Sequence, residues 1–138
     1  DMFRQGDFDF IGKVIDYQTP LKNIKYDDIG KIDLLSYNKA DGTLRILELK
    51  KPDSKETMLR CALESFTYLR TVDRDKLIAD FGLPADTVKA CPLVFLNGIQ
   101  HEEWLDEKRP NLHKFMSVND IQPFFVERTG SGYKVYSA

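Results

Sequence analysis

Residues 30–52 read GKIDLLSYNKADGTLRILELKKP, and this stretch decides how the rest of the chain is interpreted. Its two apolar segments, 32–37 and 43–50, are rich in the branched and aromatic residues that favour strands. The Asp41-Gly42 pair between them is a strong signal for a hairpin turn. The sequence therefore predicts two antiparallel strands that close around residues 40–42.

The segments on either side of this hairpin predict a third strand and a long helix. Residues 12–21 have the composition of a strand. After Pro52 the apolar residues recur at helical spacing, and Ser54 is a residue type that caps helices. We therefore expect a strand over 12–21 and a helix from Lys55 to about Val72.

Two further elements complete the predicted core. Residues 74–81 form a short helix that Gly82 ends, because glycine readily adopts the left-handed conformation of a helix C-terminus. Residues 88–96 are continuously apolar, which is typical of a central strand buried on both faces. Pro92 within that strand predicts a local irregularity or a later start of the strand, because proline donates no hydrogen bond to the sheet.

The remaining residues predict an accessory C-terminal region. Residues 101–116 are polar and interrupted by Pro110, which indicates a broken helix or a loop. Residues 121–128 and 133–137 are typical of a terminal hairpin. The element order makes the chain an α/β protein of the α+β type with a mixed sheet, in one domain of residues 1–138 with a core at 12–97 and an accessory region at 98–138.

Composition supports this single-domain prediction. The chain has 138 residues, of which 42% are hydrophobic and 30% charged, and its formal net charge is −2. No segment approaches the ~20 apolar residues of a membrane helix, so no membrane partner is expected. Cys61 and Cys91 lie in apolar segments, as free thiols in a reducing compartment do, which predicts a cytoplasmic protein. Met2 behind Asp1 suggests that further residues precede this sequence.

Three charged residues of the hairpin are the candidate chemical site. In a hairpin closed around residues 40–42, partner positions add up to about 82, which places Asp33 near residue 49. Side chains alternate along a strand, so Glu48 and Lys50 share one face. If the register places Asp33 on that face, two carboxylates and an ammonium converge.

This grouping suits divalent-cation chemistry. Asp33, Glu48 and the backbone carbonyl of Leu49 are oxygen ligands of the kind that Mg²⁺ and Mn²⁺ take. Lys50 could orient or deprotonate a water and neutralise developing charge, so phosphodiester hydrolysis is the natural reaction. An ordinary solvated hairpin carries the same residue types, and its cross-strand pairs contribute only ~0.2–1 kcal/mol each. Spacing alone leaves both interpretations open.

The two strands and the following helix resemble a known family. Gly30-Lys31-Ile32-Asp33-Leu34-Leu35, then Ile46-Leu47-Glu48-Leu49-Lys50-Lys51, are similar to the PD-(D/E)XK, or restriction-endonuclease-like, nuclease superfamily over about residues 12–97. The resemblance implies a core of αβββαβ type. It also implies Asp33 and Glu48 as metal ligands and Lys50 as the catalytic lysine.

The chain departs from the family pattern at its start. The first core helix has no evident counterpart before residue 12, so the expected core is βββαβ with that helix missing or not located. In many members this helix carries an acidic residue near the metal. Either this sequence lacks this helix, or Asp7 or Asp9 substitutes for its acidic residue.

Residues after the hairpin supply candidate substrate contacts. Lys51, Lys55 and Arg60 form a basic group that would contact phosphates, or else a normally solvated helix start. Glu64 and Tyr68 resemble the Gln-x-x-x-Tyr signature of RecB-like members, with Glu in place of Gln. Arg60, Glu64 and Tyr68 share one helical stripe, but an exposed Arg–Glu pair beside a half-buried tyrosine is the preferred interpretation.

Two functions follow as expectations. The first is a metal-dependent nuclease, a hydrolase that cuts nucleic acid and more readily DNA than RNA. The second is a catalytically degenerate module of the same fold that binds nucleic acid or protein without hydrolysis. The region 98–138 has no residue-level assignment, and substrate specificity or the contacts of a homodimer are its candidate roles.

Overall fold

The computed structural model describes residues 2–20 and 31–138 of the chain. Within these ranges the elements are α1 (Met2–Gln5), β1 (Asp7–Phe8), β2 (Gly12–Pro20), β3 (Lys31–Asn38), β4 (Thr43–Leu49), α2 (Met58–Thr71), α3 (Arg74–Phe81), β5 (Thr87–Phe95), α4 (Ile99–Leu105), α5 (Pro110–Val118), β6 (Phe124–Arg128) and β7 (Tyr133–Ser137). The strands form one sheet in the order β1-β2-β3-β4-β5-β6-β7, with parallel pairing of β4–β5 and β5–β6 and antiparallel pairing elsewhere. The predicted mixed α/β class is confirmed.

The central hairpin forms as predicted, but its register differs by one residue. Asn38 lies opposite Thr43, so residues 39–42 form a four-residue turn. The amide N–H of Gly42 donates to the carbonyl of Asn38 at 2.9 Å and closes that turn. Extended by one residue beyond the Leu34–Leu47 pair, the same register puts Asp33 opposite Glu48 rather than residue 49. Because partners across a sheet share a face, this shift brings the two carboxyls together.

Strand β5 lies in the middle of the sheet, as its unbroken apolar run predicts. It pairs with β4 in continuous parallel register from Thr43–Thr87 to Leu49–Leu93. Pro92 lies opposite Glu48 within that register, so the expected irregularity in the pairing is wrong. Since β4 and β5 run in the same direction, α2 and α3 cross over the sheet between them.

Helix α2 begins three residues later than predicted. Thr57, rather than Ser54, is its N-cap, and the Thr57 hydroxyl accepts a hydrogen bond from the Arg60 N–H at 3.1 Å. The Ser54 hydroxyl accepts from the Glu56 N–H instead, within a separate turn. The short helix α3 has the predicted bounds, and Gly82 ends it with a φ of 60°.

Apolar residues cover both faces of the sheet. On one face, Leu47 packs in a cluster with Met2, Leu93 and Val135. On the other face, Ile46 packs in a cluster with Leu44, Leu77 and Val88. Side chains alternate along β4, so Glu48 lies on the same face as Ile46, which is the face covered by α2 and α3.

The two ends of the described chain meet at the edge of the fold. The Gln5 side chain donates to the Tyr133 carbonyl at 2.8 Å and accepts from the Tyr133 N–H at 2.7 Å. Helix α1 has four residues, so among residues 2–20 no long helix precedes the core. The predicted broken helix and terminal hairpin are confirmed as α4, α5, β6 and β7.

Some predictions fall outside the described ranges. The expected end of the first strand at Leu21 and the motif residue Gly30 are among them. In the parts of the chain that are described, no helix has both the length and the apolar character needed to cross a bilayer.

Candidate functional site

Five ionisable side chains meet where β3 begins, β4 ends and α2 begins. We call Asp33, Glu48, Lys50, Glu56 and Glu64 the charged cluster. Strands β3 and β4 place the first two opposite each other, and Lys50 follows directly after β4. Helix α2 supplies Glu64, and the segment before that helix supplies Glu56.

Asp33 is half-buried and fixed by the neighbouring strand. Its Oδ2 accepts a hydrogen bond from the Leu49 backbone N–H at 3.0 Å. Burial raises the pKa of Asp33 above its ordinary value, although the Leu49 hydrogen bond and the charge of Lys50 oppose that shift. The carboxyl is thereby held in one orientation toward Glu48.

Lys50 is the centre of the cluster's ion pairs. Its Nζ lies 3.4 Å from Oε1 of Glu48 and 3.1 Å from Oε2 of Glu64, and it also pairs with Glu56. Its side chain is only 10% exposed. Burial alone would lower the pKa of Lys50, but the surrounding carboxylates outweigh it and raise that pKa. Lys50 is therefore charged at neutral pH.

Glu48 is the buried carboxyl of the cluster. Its side chain is 7% exposed, and its Oε2 has no hydrogen-bond partner among the described residues. Burial, the adjacent Glu64 carboxyl and the negative charge of Asp33 raise the pKa of Glu48 to about 9. Glu48 therefore holds a proton at neutral pH unless a cation takes the place of that proton.

The cluster carries more acidic than basic groups. Among the described residues, four carboxyls surround the single buried ammonium of Lys50. Arg60 adds a charge from the exposed side, with its Nε 3.3 Å from Glu64 and 3.9 Å from Glu56. Uncompensated negative charge in a half-buried site is unfavourable, so the cluster takes up either a proton or a cation.

Two buried contacts hold α2 and its preceding segment against the sheet. The Gln100 side chain, from α4, donates to the backbone carbonyls of Glu56 at 2.8 Å and Ser54 at 3.3 Å. The Cys61 thiol donates to the Glu48 carbonyl at 3.6 Å. Burial raises the pKa of Cys61, so this cysteine stays a neutral thiol. These contacts fix the distance between the glutamates of the helix side and the carboxyls of the strands.

The predicted stripe of α2 lies beside the cluster. Arg60 and Glu64 form the expected ion pair, but Glu64 also reaches inward to Lys50. Tyr68 is half-buried, and burial together with the negative charge of Glu48 raises its pKa to about 12. Arg60, Glu64 and Tyr68 line a shallow groove of about 340 Å³ on the outer side of α2.

The other predicted contacts lie apart from the charged cluster. Lys51 is exposed and lines a different cleft, next to Leu49. Lys55 is exposed in the segment before α2. Asp7 pairs with Lys13, which in turn lies opposite Tyr37, so Asp7 is four residues along β3 from Asp33. Neither Asp7 nor the nearby Asp9 therefore substitutes for an acidic residue of the cluster.

Sequence reasoning missed two residues that shape the site. Glu56 continues the helical spacing of Arg60, Glu64 and Tyr68 backwards by four residues, and that spacing could have found it. Gln100 is 2% exposed and acts across more than forty residues of sequence, so no local pattern marks it.

A second cleft opens on the opposite face of the same sheet end. We call it the aromatic cleft, and its volume is about 350 Å³. Asp33 forms part of its wall. Its other lining residues of interest are aromatic or basic: Phe3, Tyr17, Phe95, Tyr133 and Lys51.

Comparison with protein-family models, curated proteins and solved structures finds no match for this chain. Within residues 2–20 and 31–138, no group of three or more His, Cys, Asp and Glu side chains is arranged to hold a metal ion. Glu56 and Glu64 pair with Lys50 and Arg60, and Glu64 also lies next to Glu48. Asp33 and Glu48 are the carboxyls that lie opposite each other on the two strands.

Proposed function

We propose that this chain is a nuclease, a Mg²⁺- or Mn²⁺-dependent hydrolase of phosphodiester bonds in nucleic acid, with DNA as the expected substrate. The observation that carries the proposal is the pair of facing carboxyls, Asp33 and Glu48, with the charged Lys50 beside them. Carboxyl oxygens of this kind are the ligands that Mg²⁺ and Mn²⁺ take, and the buried ammonium of Lys50 adds a positive charge next to Glu48.

The element order supports a finer proposal about the fold. Strands β2, β3 and β4 are followed by α2, the short helix α3 and then β5. Apart from α3, this is the βββαβ order expected for the PD-(D/E)XK core. The charged cluster lies where β3 begins, β4 ends and α2 begins. It contains Asp33, Glu48 and Lys50, to which the resemblance assigns the metal ligands and the lysine.

The residues present suit a divalent cation. The buried Oε2 of Glu48 has no hydrogen-bond partner within the described chain. Three carboxyls share the ammonium of Lys50, and Asp33 adds a fourth carboxyl to the cluster. Asp33, Glu48 and the carbonyl of Leu49 would hold Mg²⁺ or Mn²⁺. When bound, the cation would stabilise charge on the phosphoryl oxygens and lower the pKa of water.

Lys50 has a narrower role than its sequence position suggests. Because its pKa is raised, it is a poor proton acceptor at neutral pH. Its ammonium instead donates hydrogen bonds and opposes negative charge that develops on the phosphate. In the hydrolysis a water oxygen bonds to phosphorus, the P–O bond to the leaving nucleoside breaks, and the leaving oxygen takes up a proton.

The test is a Mn²⁺ titration by calorimetry, followed by a cleavage assay on single- and double-stranded DNA. We expect weak binding by the wild-type chain, and its loss in Asp33→Asn and Glu48→Gln because each removes one ligand charge. Cleavage should fall at least ~100-fold in both variants. Lys51→Ala is the matched control and should keep Mn²⁺ affinity. No binding at millimolar Mn²⁺, or full cleavage by Glu48→Gln, contradicts the proposal.

One observation favours the second function, a catalytically degenerate module. Lys50 already compensates part of the cluster's charge through three ion pairs. In such a module the cluster would be a structural network, and the chain would bind a nucleic acid or protein partner without hydrolysis. Partner binding that is unchanged in Asp33→Asn, together with no Mn²⁺ affinity, would identify this function.

A further inference from the structure

We propose that the aromatic cleft binds an unpaired nucleobase beside the charged cluster, so that the substrate class is single-stranded nucleic acid. This inference deepens the proposed nuclease function and rests on it. It goes beyond the catalytic constellation because it concerns residues on the other face of the sheet.

The cleft and the cluster share one wall. Asp33 lines the aromatic cleft, and its carboxyl lies opposite Glu48 of the cluster. Leu49 also lines the cleft, while Lys50 directly after it belongs to the cluster. A nucleotide whose phosphate lies at Asp33 and Glu48 therefore has the cleft within reach of its neighbouring base.

The rings of the cleft are available for stacking. Phe3 is 41% exposed and Tyr17 is 55% exposed, although large aromatic side chains are usually well covered. Their ring centroids lie 5.1 Å apart with an interplanar angle of 55°. Phe95 and Tyr133 add partly buried rings to the wall. Base–aromatic stacking accepts any base, because every base has a π-face, so these rings favour a base whose face is accessible.

Charge and size both favour an unpaired base. The whole chain has a net charge of −2, and Lys51 supplies the positive charge among the described residues of the cleft. Bulk attraction to a duplex backbone is therefore weak, and affinity has to come from contacts with the bases. A cleft of about 350 Å³ is of single-ligand size, and a base inside a duplex has both faces already stacked.

The test measures binding separately from hydrolysis. Wild-type protein in EDTA is titrated with three fluorescent twelve-residue DNA probes, a thymine single strand, an abasic strand with the same phosphates and a duplex, and binding is read by fluorescence anisotropy. We expect the single strand to bind at least tenfold more tightly than either of the others. Equal affinity for the abasic strand or the duplex would overturn the inference, because phosphate contacts alone would then explain binding.

Variants assign the binding to the cleft. Phe3→Ala and Tyr17→Ala should each weaken single-strand binding about tenfold, whereas Tyr17→Phe, which keeps the ring, should not. Phe10→Ala is the matched control, since Phe10 is a similarly exposed phenylalanine in the turn between β1 and β2. Urea unfolding of each variant confirms that the fold is kept. Unchanged binding by both alanine variants would overturn the assignment.

Cleavage in Mn²⁺ then separates the two proposals. Base-dependent binding that the alanine variants lose, without hydrolysis of any probe, supports the cleft and contradicts the nuclease. Hydrolysis of duplex and single strand at equal rates, unaffected by Tyr17→Ala, supports the nuclease and overturns the cleft.

Discussion

The charged cluster and the aromatic cleft lie on opposite faces of one sheet end and are built in opposite ways. In the cluster, Glu48 and Lys50 are almost fully buried and held by ion pairs. In the cleft, Phe3 and Tyr17 are exposed, and their rings pack against each other at a tilt. Asp33 belongs to both.

This difference separates stability from binding. A buried charge depends on its partners, so substitutions in the cluster change the fold and the chemistry together. An exposed ring contributes little to the fold, so truncation of Phe3 or Tyr17 should change binding more than stability. Lys50 and Lys51 are adjacent in sequence, but Lys50 lies in the charged cluster and Lys51 lines the aromatic cleft.

The largest expected effect breaks the cluster. Lys50→Ala leaves Glu48, Glu56 and Glu64 without their shared counter-charge, and the free energy of unfolding should fall by about 3 kcal/mol. Lys51→Ala, on an exposed side chain, should change it by less than about 0.5 kcal/mol. Urea denaturation of both variants measures the two values. Similar losses in the free energy of unfolding in both variants would show that Lys50 contributes no more to stability than an exposed lysine does.

The next effect concerns pH. The folded pKa of Glu48 is about 9, above its value of about 4.3 in an unfolded chain, so the native state binds the extra proton. The stability contributed by Glu48 is therefore fully present below about pH 4 and is lost as pH rises toward 9. Urea unfolding in EDTA at pH 5, 7 and 9 should record this decline.

Two controls accompany that pH series. Glu48→Gln, which mimics the protonated carboxyl, should flatten the decline. The shift of Asp33 has the same sign, whereas the pKa of Glu64 is lowered and its contribution is lost only in acid. A stability that rises from pH 5 to 9 in the wild-type chain would contradict the buried, protonated Glu48.

The smallest expected effect comes from a substitution next to the aromatic cleft that leaves the charged cluster unchanged. A Cβ at Gly132 would lie 2.3 Å from Oε1 of Gln5, so Gly132→Ala should displace Gln5 and remove its two hydrogen bonds to Tyr133. We expect a loss of about 1–2 kcal/mol with Mn²⁺ affinity unchanged. Gly130→Ala, where a Cβ meets nothing within 4 Å, is the matched control. A change in Mn²⁺ affinity in Gly132→Ala would show that the two faces are coupled.

Sequence reasoning found the part of the site that is local in sequence. Asp33, Glu48 and Lys50 lie on one hairpin, whose turn and alternation are readable from residues 30–52. The observed register differs by one residue from the approximate prediction, because the number of residues in the turn depends on hydrogen bonds made by Asn38 and Gly42 rather than on the Asp41-Gly42 signal alone.

The remaining differences come from contacts between distant segments. Both Ser54 and Thr57 are good capping residues, and the helix start is decided where Gln100 binds the carbonyls of residues 54 and 56 in a non-helical turn. The aromatic cleft combines Phe3, Tyr17 and Tyr133, which lie on three separate elements. No periodicity or motif joins residues so far apart.

The Gln5–Tyr133 contact also has a consequence for the order of events during synthesis. The hairpin and α2 can associate soon after they leave the ribosome, because their contacts span a short length of chain. The two hydrogen bonds between Gln5 and Tyr133, in contrast, can form only after residue 133 has been translated. During synthesis, the charged cluster can therefore form before the aromatic cleft, which is complete only after Tyr133 has been added.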